Sequence, residues 1–127
     1  GGSPQATNVI ADLTALLDAL PARVTSAPVG VEQVNRGKSV FTAVGCAACH
    51  GGPLLTNNAS VDVGTGAVFQ VPSLVGLGAR APYMHDGCAT TMRERFTKPG
   101  CGGTKHGDVS KLTPLELDAL VDYLTTL

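Results

Sequence analysis

Two cysteines and a histidine stand at a spacing that can attach a porphyrin. The segment Cys46-Ala47-Ala48-Cys49-His50 places two residues between the thiols and a histidine directly after the second. Two intervening residues let both sulfurs reach the two vinyl groups of one haem, and the histidine that follows can ligate the iron. The pattern therefore predicts one covalently bound haem c, with thioether bonds at Cys46 and Cys49 and with His50 as an axial ligand.

Two other chemistries use a Cys-x-x-Cys spacing, and both are less consistent with this chain. A thioredoxin-like redox motif requires a βαβ unit, and no such pattern surrounds Cys46. A zinc site would need four thiolates, which are Cys46, Cys49, Cys88 and Cys101. The last two are not paired at the short spacing of structural zinc sites, so the haem interpretation is favoured.

Cys88 and Cys101 remain once the haem has taken the first pair. Haem attachment of this kind takes place outside the cytoplasm, where disulfides persist. We therefore predict a Cys88–Cys101 disulfide that closes a loop of about 14 residues. The same reasoning predicts a periplasmic or extracellular location in a bacterium. Two buried free thiols are the alternative interpretation of these cysteines.

The sixth iron ligand is the main open question of the sequence. Four residues downstream of the haem motif are candidates: His106, Met84, His85 and Met92. In small cytochromes this ligand comes from the loop shortly before the last helix, which favours His106. Met84 is the main alternative, whereas Met92 is expected to pack as an apolar residue of a short helix. An open or water-ligated iron is a further alternative.

Two helices are predicted before and around the start of the haem motif. Apolar residues recur at helical spacing over residues 8–20, and Pro21 ends that pattern. A second helix is predicted over residues 31–44. Gly37 lies one turn before Phe41 on the apolar face of this helix, so another helix can approach closely there.

The rest of the chain combines a long loop with a well-marked last helix. Residues 51–80 are rich in glycine and proline and predict a loop with short strand pieces, such as Ala67–Val71. A short helix is predicted over Thr90–Phe96. The last helix begins with a capping box, in which Thr113 and Glu116 each satisfy a backbone N–H group of the other.

Composition and charge narrow the class of protein. The chain has 127 residues, of which 43% are hydrophobic and only 4% are aromatic. A single domain with a large apolar cofactor in its core would explain so few aromatic residues. The net charge of −1 gives no field that attracts nucleic acid, and no apolar stretch is long enough to predict a membrane span. The first residues lack signal-peptide features, and we interpret them as a trimmed mature end, an expression scar or a linker from a larger chain.

Several motifs together resemble those of one cytochrome family. The likeness covers roughly residues 31–127, and it extends well beyond the haem motif that all c-type cytochromes share. The chain resembles the C-terminal haem domain of bacterial di-haem cytochrome c peroxidases in five segments: Cys46–Pro53 (CAACHGGP), Val71–Leu74 (VPSL), Ala81–Gly87 (APYMHDG), Leu112–Glu116 (LTPLE) and Val121–Leu124 (VDYL).

This resemblance implies an all-α cytochrome c fold with long Gly/Pro-rich loops. The haem domain would occupy residues 31–127, after a linker and an accessory helix within residues 1–30. The helix of Gly37 and Phe41 would cross the C-terminal helix beside the haem, at the positions Leu120, Tyr123 and Leu124.

The resemblance also bears on the iron ligands. It carries His50 over as the proximal ligand and places His85 near the haem without binding the iron. The family's methionine ligand falls at the position of Pro99 in this chain. Proline cannot ligate iron, so His106 is the nearest replacement and the iron is expected to be bis-histidine ligated.

Cationic and aromatic residues near the expected haem face are further candidates. Arg80 and Tyr83 are expected to contact the cofactor. Arg80, together with Arg93, Arg95 and Lys98, is expected to pair with a haem propionate or to steer an acidic redox partner.

These features predict electron transfer between redox partner proteins, without enzymatic activity. One Cys-x-x-Cys-His motif implies one haem, whereas the resembled peroxidases use two. A peroxidase-like domain with an open or displaceable sixth site is the alternative. A haem module of a larger redox polypeptide is a third interpretation.

Overall fold

The computed structural model describes residues 7–21 and 29–127, and helices dominate these residues. The part of the predicted linker at residues 1–6 and 22–28 lies outside them. The elements are, in chain order, α1 (Thr7–Ala19), α2 (Val31–Ala43), β1 (Ser60–Asp62), β2 (Val68–Gln70), α3 (Met92–Thr97) and α4 (Pro114–Thr125). Short 3₁₀ helices lie at Cys46–Ala48, Leu77–Ala79 and Gly103–His106.

The main packing contact joins α2 to α4 at Gly37. A Cβ atom at this position would overlap the backbone carbonyl of Ala119 and lie 2.5 Å from the Cβ of Tyr123. Next to this crossing, the rings of Phe41 and Tyr123 meet edge to face with centroids 5.4 Å apart. The predicted crossing of the two helices at Gly37 is therefore confirmed, because only glycine leaves room for so close an approach.

The last helix begins as the sequence predicts. The hydroxyl of Thr113 accepts a hydrogen bond from the N–H of Glu116, and the Glu116 carboxylate accepts one from the N–H of Thr113. Proline at the first helical position has no N–H that would need a partner. This double cap fixes the residue at which α4 starts. The start of the helix in turn determines which of its residues are buried: Ala119, Leu120, Tyr123 and Leu124.

The long loop after the haem motif contains a two-stranded antiparallel sheet. The predicted strand at Ala67–Val71 is present as β2, and its partner β1 was not predicted. Val61 pairs with Phe69 at the centre of this sheet. The hydroxyl of Thr56 donates to the carbonyl of Val71 at 2.6 Å and joins the segments that precede β1 and follow β2.

Helix α1 forms where its periodicity predicts it, but its apolar face is exposed. The large apolar residues of this segment are between 49% and 60% exposed: Val9, Ile10, Leu13, Leu16, Leu17 and Leu20. Among the described residues, no helix has the length and apolar character needed to cross a bilayer.

Candidate haem site

A left-handed glycine starts the turn that carries the Cys-x-x-Cys-His motif. Helix α2 ends at Ala43, and Gly45, with φ +83°, redirects the chain into the 3₁₀ helix Cys46–Ala48. The N–H of His50 then donates to the carbonyl of Cys46 at 2.9 Å. The turn leaves both cysteine side chains partly exposed, whereas His50 is buried. Two reachable thiols beside a buried imidazole are what covalent haem attachment requires.

The orientation of His50 is set by a backbone carbonyl. Its Nδ1 atom lies 3.2 Å from the carbonyl oxygen of Leu55, in the turn that follows the haem motif. An acceptor at this position selects the tautomer with hydrogen on Nδ1, which leaves the lone pair of Nε2 for a metal. Burial lowers the pKa of His50, with the carbonyl of Leu55 opposing that effect, so the neutral imidazole is favoured.

His106 lies opposite His50. It ends the 3₁₀ helix Gly103–His106, and the two imidazole centroids are 6.2 Å apart with their planes tilted by 35°. Burial and the nearby positive charge of Arg95 lower the pKa of His106 to about 4, so this ring is also neutral at pH 7. Its Nδ1 atom is buried and has no hydrogen-bond partner among the described residues.

This arrangement fits a haem iron between the two rings. An iron bound by both rings would need two metal–nitrogen bonds of about 2 Å each. With the short distance from each nitrogen to its ring centre added, the two ring centroids would be roughly 6 Å apart, close to the 6.2 Å in the structure. Within residues 7–21 and 29–127, Thr65 Oγ1 is the other buried side-chain atom without a hydrogen-bond partner. Thr65 follows Gly64 in the chain. A Cβ atom at Gly64 would contact the side chain of Lys105, the residue before His106.

The loop that carries His106 also reaches the first cysteine. A Cβ atom at Gly107 would lie 3.6 Å from the Sγ of Cys46. The haem motif and the predicted distal ligand are therefore neighbours in the fold, although they are far apart in the sequence. The structure brings Cys46, Cys49, His50 and His106 into one site.

Met84, the alternative ligand, is also nearby. A Cβ atom at Gly102 would lie 3.2 Å from the Cε of Met84 and 3.1 Å from the Cβ of His106. Both side chains therefore contact this glycine. The remaining candidates differ from it in their surroundings. Met92 is buried in the core of the domain, as predicted, and His85 is exposed and stacks on the Phe69 ring at 4.1 Å.

The two further cofactor candidates occupy different environments. Arg80 is exposed and donates a hydrogen bond to the carbonyl of Ser73. Tyr83 is buried in the core, and its N–H donates to the carbonyl of Ala89 at 2.7 Å. A contact of either residue with the haem stays a prediction.

Arg95 requires a correction. The sequence groups it with cations that pair with a haem propionate or steer a redox partner, but the residue is only 7% exposed. A buried guanidinium cannot meet a partner protein, so Arg95 has no steering role, whereas its pairing with a propionate stays a prediction. It instead donates a hydrogen bond to the backbone carbonyl of His106. Sequence reasoning missed this contact because no local pattern links Arg95 to a loop beyond its own helix.

Cys88 and Cys101 flank α3 and lie close together. Their Cα atoms are 5.8 Å apart and their sulfurs are at bonding distance, and both distances suit a disulfide. The described residues contain no group of three or more His, Cys, Asp or Glu side chains that could hold a metal ion. The four-thiolate zinc site weighed from the sequence therefore has no support in this arrangement.

Comparisons with known proteins agree with these observations. The sequence profile described as Cytochrome c matches residues 34–127. A structure of hydrazine synthase from Kuenenia stuttgartiensis, pressurized with 20 bar xenon, matches with a TM-score of 0.75 and 22% sequence identity. That match covers 96% of this chain and 56% of the other, so this chain spans little more than half of its length. A search of curated proteins found no match.

The two matches confirm the predicted cytochrome c fold. At 22% identity the structural match bears on the fold alone. The finer resemblance to di-haem peroxidases stays a prediction. The profile covers most of the chain, including the haem motif at Cys46, Cys49 and His50 and the whole of α4. The chain therefore belongs to the cytochrome c family.

Proposed function

We propose that this chain transfers single electrons through one haem c, bound by thioethers at Cys46 and Cys49 and ligated by His50 and His106. Proteins of the cytochrome c family bind haem covalently and carry electrons. The observation that carries the bis-histidine proposal is the 6.2 Å separation of the two imidazole centroids. No other described histidine pair has this arrangement, because His85 stacks on Phe69 instead.

The chain's residues prepare a rigid, neutral ligand pair. When bound, the haem supplies a one-electron iron couple, whose potential depends on its axial ligands and its burial. The carbonyl of Leu55 orients the His50 ring, and burial keeps both rings neutral, so each offers a lone pair at pH 7. Fixed ligands that stay in place reduce the rearrangement that accompanies a change of oxidation state.

Location and domain organisation follow from the same proposal. Covalent haem attachment implies a periplasmic or extracellular site, where a Cys88–Cys101 disulfide would persist. The proximity of these two cysteines supports that bond. We place the haem domain at residues 31–127 and assign residues 1–30 to a linker and the accessory helix α1.

Two other functions are weighed against electron transfer. A peroxidase needs an iron position open to peroxide, and His106 would occupy that position. A haem module within a larger redox protein is the second candidate, favoured by the match to part of a longer hydrazine synthase chain. In that case the electron-transfer role of the haem is retained, and the partner is another domain of the same polypeptide.

Low-temperature electron paramagnetic resonance of the oxidised protein tests the proposal. Bis-histidine iron gives a low-spin ferric spectrum that differs from that of His/Met or open iron. The near-infrared spectrum should lack a methionine–iron charge-transfer band. If the band is present and disappears in Met84→Leu, the sixth ligand is Met84 and the bis-histidine proposal is wrong.

A second experiment tests haem attachment itself. The haem should stay with the protein in acidified organic solvent, because thioethers do not hydrolyse there. Cys46→Ser and Cys49→Ser should each leave at most one thioether. Complete extraction of haem from the wild-type protein would refute covalent attachment.

A further inference from the structure

The charge of Arg95 has no carboxylate to balance it. All ten Asp and Glu residues of the chain lie within the described residues. The ion pairs among them join Arg93 to Asp118 and Lys105 to Asp62, and none includes Arg95. Its guanidinium lies 5.0 Å from the centre of the Phe96 ring and donates to the His106 carbonyl. The chain itself therefore supplies no counter-ion to this buried cation, and a haem propionate would balance the charge if the pairing expected from the sequence forms.

Arg95 bonds to the loop that carries His106, the proposed sixth ligand. His106 is followed by Gly107, and the preceding part of the loop contains Gly100, Gly102 and Gly103. All four glycines have positive φ values, between 51° and 91°. A segment so rich in glycine has little stiffness of its own. A charge-assisted hydrogen bond from a buried, well-packed helix residue can supply the missing restraint.

We propose that Arg95 is a positioning residue that holds His106 over the haem iron through its hydrogen bond to the His106 carbonyl. This inference rests on the bis-histidine ligation proposed above. Arg95 lies on α3, which packs against α4, so it links the glycine-rich loop that carries His106 to the helical core. The closed, six-coordinate state is then favoured over an open state in which His106 has left the iron.

The test measures how often His106 leaves the iron. Cyanide binds ferric haem only when the sixth position opens, so its binding rate reports the open population. Arg95→Met keeps much of the side-chain length and removes every donor. We expect cyanide to bind roughly tenfold faster, because losing one charge-assisted hydrogen bond shifts a two-state equilibrium by about that factor. A high-spin ferric signal should appear beside the low-spin one.

Two variants make the test specific. Arg95→Lys keeps a charge and a donor, so its cyanide rate should rise less than that of Arg95→Met. If Arg95→Met does not fold, Arg95→Leu, which also removes every donor, carries the test, and a cyanide rate equal to wild type in that variant overturns the proposal. Arg93→Met, on the same helix but exposed, should leave the rate and the spectrum unchanged.

A variant without His106 shows whether Arg95 acts through that residue. In a His106→Ala background the sixth position is already open, so adding Arg95→Met should not change the cyanide rate further. A further increase there, or an unchanged rate in Arg95→Met alone, overturns the positioning role. A wild-type protein without bis-histidine spectra would instead refute the proposed ligation, so the two failures are distinguishable.

Discussion

The imidazole rings of His50 and His106 lie opposite each other with centroids 6.2 Å apart, and each ring is held by a different part of the fold. His50 is oriented by the carbonyl of Leu55, which lies in the turn that follows the haem motif. His106 is held through its own carbonyl by Arg95 on α3. Because the two supports are separate, one ligand can be removed without disturbing the other.

Removing the distal imidazole should therefore open the iron. We expect His106→Ala to replace the low-spin ferric spectrum with a high-spin or water-ligated one that binds cyanide quickly. A gain of peroxidase activity would accompany the open site. Met84→Leu is the matched control, because Met84 lies beside His106, and it should leave the visible spectrum almost unchanged. Retention of a low-spin spectrum in His106→Ala would show that another residue ligates the iron.

The haem motif and its nearest helices could be predicted from the sequence because their signals are local. The Cys46–His50 spacing, the periodicity of α2 and the Thr113 cap each lie within a few residues of one another. The Gly37 crossing was also predictable, since a glycine on an apolar helix face indicates close approach of a neighbour. These elements appear in the structure within one or two residues of their predicted limits.

The contacts that the sequence could not reveal join distant segments. Arginine is usually exposed, so the composition of α3 gives no sign that Arg95 is buried against the loop of His106. The strand β1 is only three residues long and becomes a strand through pairing with β2. Periodicity predicts the helix α1, but it does not show what its apolar face contacts, and that face is exposed. For Arg95 and β1, tertiary packing decides the outcome, and local pattern does not.

The helix crossing at Gly37 should tolerate no side chain. Gly37→Ala would drive a methyl group into the Ala119 carbonyl and the Tyr123 side chain, so we expect a loss of about 2 kcal/mol or more in the free energy of unfolding. Urea denaturation of the haem-loaded protein measures it. Gly30→Ala is the control, because a Cβ atom there meets nothing within 4 Å and the change should be under about 1 kcal/mol. Equal effects at both positions would contradict the tight crossing.

The proposed disulfide should be visible without any variant. Mass spectrometry of the untreated protein should show Cys88 and Cys101 joined, and both should resist alkylation until a reductant is added. Replacing both by serine should lower the free energy of unfolding by about 3 kcal/mol, as expected for a loop of this length. Alkylation of both thiols in the untreated, unfolded protein would refute the bond.

The exposed cations within residues 80–98 should affect the encounter with an acidic partner. Arg80, Arg93 and Lys98 remain exposed, although Arg93 pairs with Asp118 and Lys98 donates to the Cys88 carbonyl. Reduction by an anionic donor should slow as salt is added, and Arg80→Gln should weaken that dependence. A neutral small donor is the control and should show little change with salt. Rates with the anionic donor that ignore ionic strength would mean that these charges serve solubility only.

The N-terminal cap of α4 should make the free energy of unfolding depend on pH in the acidic range. The Glu116 carboxylate accepts hydrogen bonds from the Thr113 hydroxyl at 2.7 Å and from the Thr113 N–H at 2.8 Å. These bonds favour the charged form and hold the pKa of Glu116 below its usual value. A carboxyl whose pKa is lower in the folded state stabilises the fold fully above its unfolded pKa, and this contribution disappears as pH falls through the folded pKa.

Glu116→Gln should therefore reduce the change of the free energy of unfolding with pH at acidic pH. The amide oxygen can still accept from Thr113, but it does not take up a proton, so wild type and variant should converge as pH falls from about 5 to about 3. Urea denaturation at several pH values measures the difference between them. Glu32→Gln is the matched control, because Glu32 also lies in a first helical turn, where the cap residue Gly30 has no side chain to bond. An equal change with pH at both positions would show that the Thr113 cap does not shift the titration of Glu116.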